Sequence, residues 1–273
     1  MKKIVFWQQR HGIYYANLCN LFHVNNAPKA YILTFIYKKD EGVKGVLKSF
    51  LYKGAVKSKA ITNIICYSKH EVEYYGNLFN AREGKIVSTT FGLADQKYRN
   101  GESIITNEGF LFDVGKSNRD HKFLEEALEN SQYKAIIADR TYESTGSSNC
   151  IVRRDVKYGD DLYSMIEKCF AVIVPLVDEN ISAGQTVFIQ AMMFSKPIIV
   201  TTSNTIDEYV INGENGFIIS KTKDSLLNCL NKLTDDSELY ASMCVKSRKM
   251  FEDSYSFKAL GMNVGDIIIK SLK

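Results

Sequence analysis

The 273-residue chain lacks any apolar run of the ~20 residues that a bilayer-spanning helix needs. Its opening, MKKIVFWQQRHG, carries two lysines, but the apolar stretch is too short for the h-region of a signal peptide and reads as a first β-strand. There is no CxxC and no clustering of histidine with cysteine, so neither a zinc site nor a disulfide framework is expected. Cys19, Cys66, Cys150, Cys169, Cys229 and Cys244 are scattered, several inside apolar runs, which fits reduced, mostly buried thiols and a cytoplasmic protein. Strong charge of one sign is missing too: a net +4 does not by itself imply a nucleic-acid partner. No internal repeat or low-complexity tract appears, which removes solenoids and disordered arrays from consideration.

What is present is an ordinary globular composition, 45% hydrophobic and 24% charged, in a length that allows one large or two modest domains. Strand patterns alternate with helical ones, the signature of parallel sheets built from βαβ units. In the first half, strands are expected at Ile4–Trp7, Ala30–Tyr37, Ile61–Tyr67 and Lys85–Thr89, with helices near 13–23, 43–58 and 69–79. The polar, aperiodic segment 92–108 is the best linker. A second series follows, with strands at Gly109–Val114, Ala135–Ala138, Cys150–Arg153, Ala171–Pro175, Pro197–Thr201 and Gly216–Ile219. Helices near 119–130, 159–168, 185–195, 222–234 and 236–252 belong to it. The expectation is an α/β fold of two Rossmann-like, doubly wound parallel-sheet domains. They cover 1–95, a reduced N-terminal domain, and 96–273.

The most informative stretch is 172–219, in which an apolar strand ends at Pro175 and a loop of small residues, Ser182-Ala183-Gly184-Gln185-Thr186, leads into a helix. In an open α/β sheet the crevice outside the carboxyl ends of the strands receives the ligand. Small residues let a ligand approach the backbone there, and the first N–H groups of the helix lack internal partners. That combination attracts phosphate.

Four pieces in order resemble the GT-B glycosyltransferases, in particular the large retaining family 4. These are Ile64-Ile65-Cys66-Tyr67-Ser68-Lys69 with Glu71, Thr90-Phe91-Gly92-Leu93-Ala94-Asp95 (without the usual proline), Gly109–Lys116 with its "VGR"-like turn, and the 172–219 segment. The resemblance implies a metal-independent transferase without a cofactor, moving a sugar from a nucleotide-diphosphate sugar (UDP- or GDP-linked) to a glycan or lipid-linked acceptor. It places the cationic pair of the donor site on Lys116 and Arg119, with Lys122 as an alternative second cation. Such cations stabilise the diphosphate leaving group as its charge develops. It sets Ser182 and Gln190 where many relatives carry two glutamates, one on the sugar and one on the ribose. Gln190 retains hydrogen-bonding capacity and Ser182 is suited to a phosphate or a helix cap. Gly184, Gln185 and Thr186 complete the phosphate loop, and the implied role is bacterial surface polysaccharide synthesis.

Further candidates are Gly12 and His11 after the first strand, Gly12 as a place for phosphate to approach or as a turn glycine. Arg140 and Arg153 are placed to line a nucleobase pocket. Segment 38–59 holds seven lysines against one aspartate and one glutamate, with Val43, Val46, Leu47, Phe50 and Leu51 at helical spacing. It reads either as a domain helix with a solvated lysine face or as a basic amphipathic helix on an anionic membrane. Two other functions remain open: a non-catalytic nucleotide-sugar-binding or scaffold protein of the same pathway, which the missing glutamates and short N-half favour, and an epimerase of the same fold. The epimerase would need acid–base carboxylates and histidines that the sequence does not place.

Overall fold

The computed structural model describes residues 2–37, 39–97, 107–179, 183–203 and 206–271. The chain divides into two units, Met1–Phe91 with Leu260–Lys273, and Gly92–Ala259. The cut falls at Phe91/Gly92 rather than 95/96, and the end of the chain returns to the first unit instead of closing the second.

The first unit alternates β1 (Lys3–Phe6), α1 (Gln9–Leu21), β2 (Lys29–Ile32), α2 (Gly42–Lys57), β3 (Ile61–Cys66), α3 (Lys69–Phe79) and β4 (Ile86–Ser88). All four strands are parallel in the order β1-β2-β3-β4. Successive residues of a strand point to opposite faces, and the packing divides accordingly. Ile64 and Ile86 join Ile13, Ala55, Val56, Tyr75 and Phe79 from α1, α2 and α3, whereas Ile65 and Val87 point the other way. That second face is covered by Leu260, Val264, Ile267 and Ile268 of the last helix, α9 (Phe257–Lys270). No helix was expected over α9, whose two glycines and three isoleucines weaken its intrinsic helicity. Its apolar residues recur at i, i+4, i+7 and i+8, and burial against Leu33 and Ile65 stabilises the helix that propensity alone does not. Helix α3 matches its expected span because its ends are specified locally. Ser68 Oγ accepts from Glu71 N at 3.1 Å, the Glu71 carboxylate accepts from Tyr67 N at 3.0 Å, and Asn80 closes the helix at φ 48°.

The second unit holds β5 (Phe110–Val114), α4 (His121–Leu128), β6 (Lys134–Ala138), β7 (Cys150–Val152), α5 (Asp160–Lys168), β8 (Ala171–Val174), α6 (Gln185–Met193), β9 (Ile198–Thr201) and β10 (Gly216–Ile219). Helices α7 (Lys223–Asp235) and α8 (Ser237–Met250) follow, with a π-turn over Phe251–Tyr255. The sheet is parallel in the order β10-β9-β8-β5-β6-β7. Leu111, Ile137, Ile173 and Ile199 pack against Leu124 and Leu128 of α4 and Leu226, Leu230 and Leu233 of α7, while Val174 approaches Phe188 of α6 on the opposite face. The chain therefore winds outward from β5 through β6 and β7, then returns to β8 on the other side of β5. The strand order reverses between β5 and β8, and that is the switch point where a doubly wound sheet opens a crevice.

The start of the expected linker is not loose. Leu93 pairs with Tyr255 and Phe257 through backbone bonds of 2.8 and 3.0 Å, and Asp95 forms a bidentate pair with Arg248, which also donates to Met193 O at 2.7 Å. No helix among the described residues is long and apolar enough to cross a membrane.

Candidate functional site

The two loops flanking the switch point are laced together. Beyond β5 the backbone turns at Gly115 (φ 116°) and again at Asn118 (φ 55°). The Asn118 side chain donates to Asp178 O and accepts from Asp178 N, both at 2.8 Å, and Asp120 N donates to Pro175 O at 2.9 Å. Asp120 Oδ1 then caps α4 by accepting from Phe123 N at 3.1 Å, and Lys221 Nζ reaches its other oxygen at 3.1 Å. The loop after β5 is thus fixed against the loop after β8 before any ligand arrives.

Arg119 lies between them. Its side chain is only 3% exposed, with Nε donating to Val114 O at 3.3 Å and Nη1 to Ser117 O at 3.1 Å, and with Nε 3.7 Å from Asp113 Oδ1. Burial lowers its pKa from the usual arginine range, with Asp113 opposing, and a guanidinium so high in pKa stays charged. Its Nη2 is 3.3 Å from where a Cβ on Gly184 would lie, close to Phe188 Cζ at 3.0 Å and Val174 Cγ1 at 3.2 Å. Gly184 has φ 96° and caps α6, with Phe188 N bonded to its carbonyl at 2.9 Å. A cation, a glycine that brings backbone close, and the N-terminus of α6 therefore meet at one point. Thr186 is exposed and Gln185 half-buried in the first turn. Ser182 falls outside the described residues.

Lys116 is exposed and borders a cleft of ≈ 490 Å³ at the ends of β5 and β6, with Arg140, Lys157 and Tyr158 among its walls. The structure thus brings Lys116 and Arg140 together, and does not bring Arg153 to them. Arg153, just past the end of β7, forks onto Asp155 with two 2.7 Å contacts on the exposed surface and does not line the cleft. Lys122 is an exposed partner of Glu126 one helical turn on, at 3.4 Å. Gly12 is no loop residue: only two residues separate β1 from α1, so it lies buried within the helix. A Cβ there would be 2.5 Å from Ile32 Cγ1, so its role is close packing of α1 on β2 and not the approach of phosphate. His11 is exposed on the same helix.

Gln190 is 1% exposed, and its Nε2 has no hydrogen-bond partner among the described residues. A buried amide nitrogen without an acceptor is costly, of the order of 1–3 kcal/mol, and invites a ligand oxygen or a water.

Beneath the cleft is a cluster that sequence reasoning missed. His121 Nδ1 is 2.7 Å from Asp113 Oδ2 and its Nε2 is 3.2 Å from Asp139 Oδ2, all three residues buried. Burial pulls the imidazole pKa down, and the two carboxylates more than reverse this and raise it. Burial raises the Asp113 carboxyl. Burial acts the same way on Asp139, but the Thr141 amide and hydroxyl at 2.7 and 2.9 Å, with His121, hold it low. Both ring nitrogens are engaged, so His121 offers no free base to a substrate. It ties the end of β5 to the end of β6, the two edges of the cleft. The signal in the sequence was Asp113, a charge inside the apolar run of a buried strand.

Residues 146–250 match the family model of glycosyl transferases group 1. Among solved structures, the chain is similar to Anabaena HepE in complex with UDP, at 13% identity and a TM-score of 0.68, covering 98% of this chain and 79% of that one. The fold is that of the GT-B glycosyltransferases. A glycosyltransferase from Rickettsia africae has a TM-score of 0.66 at 11% identity, covering 99% of this chain and 98% of that one. WaaG, a glycosyltransferase involved in lipopolysaccharide biosynthesis, has 0.58 at 15%, covering 93% and 81%. No curated protein sequence matches the chain. Within this GT-B chain, Gly184, Gln185, Thr186 and Gln190 fall inside the family segment, whereas Lys116, Arg119, Arg140 and the His121 cluster precede it.

Proposed function

We propose that the chain is a retaining, metal-independent glycosyltransferase. In this reading it moves a sugar from a nucleoside-diphosphate sugar to a glycan or lipid-linked acceptor in the synthesis of a bacterial surface polysaccharide. The observation that carries the proposal is the meeting of the Arg119 guanidinium with Gly184 at the start of α6, at the switch point of the second sheet. When the glycosidic bond breaks, negative charge develops on the departing diphosphate. A fixed cation and the N-terminal amides of a helix stabilise that charge without having to reorganise. Lys116 adds a second, mobile charge from the cleft side, and Arg140 borders the space a nucleobase would take. The unpartnered Gln190 amide nitrogen is the group here for a ribose hydroxyl. The donor class is taken from HepE, whose structures hold UDP and UDP-glucose. Cytoplasmic residence accompanies this reading, since nucleotide sugars are made there.

Gln190 also favours a second reading, in which the protein binds a nucleotide sugar without transferring it, because an amide stands where a carboxylate is usual. The experiment is a thermal-shift and calorimetric screen against UDP, GDP, CMP and their sugars, followed by turnover with the sugar that binds. Binding raises the melting temperature as RT ln(1 + [L]/Kd). Lys116→Ala should weaken diphosphate binding by about 1.5–3 kcal/mol with an unchanged fold. Binding without transfer or donor hydrolysis would select the second reading, and no response to any nucleotide would remove both.

A further inference from the structure

Four large apolar residues of α2 face solvent. Val43, Val46, Leu47 and Phe50 are 87%, 72%, 59% and 69% exposed, although their spacing is the one a core-facing stripe should have. The residues α2 buries are Gly45, Ala55 and Val56, on the opposite side of the helix. Contact with α1 is made elsewhere, through Asn17 Nδ2 to Leu51 O at 2.9 Å and Asn20 Nδ2 to Gly54 O at 3.1 Å. The exposed stripe is therefore surplus to the packing of this unit, and four large apolar side chains on adjacent turns make one patch rather than scattered singles.

Cations border the stripe on both sides. At ~3.6 residues per turn, Lys44 lies on the flank toward α1, Lys53 on the flank away from it, and Lys57 in line with the stripe two turns beyond Phe50. A groove of ≈ 340 Å³ between α1 and α2 opens beside the stripe, with Arg10, Tyr14, Lys44 and Leu47 among its walls. Lys48, also there, is neutralised by Asp40 at 2.9 Å, whereas Arg10, Lys44, Lys53 and Lys57 have no ion pair among the described residues.

We propose that this face docks on the surface of an anionic phospholipid bilayer, with Val43, Val46, Leu47 and Phe50 entering the boundary between headgroups and acyl chains. Arg10, Lys44, Lys53 and Lys57 meet the lipid phosphates. A helix of this design lies in the interfacial plane, held jointly by buried apolar area and by attraction to anionic lipid. A second copy of the chain fits less well, because stripe against stripe would bring the same lysines of both copies together, like charge on like. The inference is independent of the donor site, which lies in the other unit.

The test is flotation of the purified protein with vesicles of phosphatidylglycerol and phosphatidylcholine in equal parts, against phosphatidylcholine alone. The expected result is flotation with the anionic vesicles only, weakened by salt. Val46→Ser with Phe50→Ser should lower the partition coefficient by about tenfold or more, since each large apolar side chain contributes that much on burial. Lys53→Gln with Lys57→Gln should lower it about fivefold per charge. All four positions are exposed, so melting temperature and nucleotide binding should be unchanged in every variant. Equal flotation with neutral vesicles, no flotation at all, or variants that float like the wild type would overturn the proposal. So would a dimer by light scattering that Val46→Ser with Phe50→Ser dissolves.

Discussion

The two sheets of this chain are both parallel and both built from βαβ units, yet they differ in what their winding leaves open. In the first, strand order follows chain order, so α1, α2 and α3 share one face and a single returning helix covers the other. In the second, the order reverses between β5 and β8, and two loops diverge from adjacent strand ends. The chemistry follows that difference. Arg119 and Gly184 meet at the reversal and Lys116 and Arg140 line the neighbouring cleft, while Gly12, inside α1 of the first unit, serves helix–strand contact. A reversal in strand order creates a crevice whatever the side chains are, and the side chains then decide what it holds.

The sharpest way to break this comparison uses one glycine from each sheet. Gly184→Val forces a β-branched residue to φ 96° and drives its Cβ against Phe188, Val174 and Arg119. The backbone strain alone is of order 1–3 kcal/mol, and the side chain fills the space a phosphate would occupy. Nucleotide binding should vanish, with a lowered melting temperature. Gly12→Ala pushes a methyl into Ile32, and overpacking of this kind costs about 1–3 kcal/mol, yet nucleotide affinity should not change. Calorimetric titration beside thermal melting separates the two. A Gly184→Val protein that still binds nucleotide would remove the phosphate from α6.

The second contrast lies in the buried ionic groups. The imidazole of His121 has a raised pKa, so the stability it contributes is complete below its unfolded value, ~6.5, and is lost as pH rises through the folded one. The groups facing it are Asp113, Asp139, Tyr142 with its ring 4.8 Å away, Glu125 bonded to that tyrosine, and Arg119 beside Asp113. Melting temperature should therefore fall as pH rises above about 6.5 and through the raised value. His121→Gln should flatten that slope and cost about 1.5–3 kcal/mol at the acidic end, the range for hydrogen bonds to charged groups. Identical slopes in both proteins would show that the cluster carries no linked proton.

Elements with local end signals were legible from sequence: α3 with its Ser68 cap, and β10, which starts on the last residue of the Gly213-Glu214-Asn215-Gly216 turn. The switch-point loops were legible too, since small residues after apolar strands have few other uses. Orientation was not. The spacing of Val43, Val46, Leu47 and Phe50 correctly predicts a helix but says nothing about which face meets the core when Gly45, Ala55 and Val56 supply an alternative. Gly12 was misread as a loop residue because a two-residue connection leaves no polar run to mark it. The His121 cluster joins residues eight and eighteen apart in sequence through two adjacent strand ends, and only strand pairing brings these together.

The smallest expected effect separates a ligand contact from packing at Gln190. If its Nε2 waits for a ribose oxygen, Gln190→Ala removes one neutral hydrogen bond and should weaken nucleotide binding by about 0.5–1.5 kcal/mol. The stability of the free protein should fall little on account of Nε2, which had no partner to leave stranded, although the small cavity adds some cost. Gln190→Glu is the informative companion. At 1% exposure a carboxylate is expensive to bury, so the free protein should melt lower, more so as pH rises through the carboxylate's titration. Bound nucleotide, whose ribose hydroxyls can donate to that carboxylate, should recover part of the loss. A stabilisation by nucleotide that is larger in Gln190→Glu than in the wild type would place the ribose at this side chain. An equal stabilisation in all three proteins would leave Gln190 as a packing residue of α6 alone.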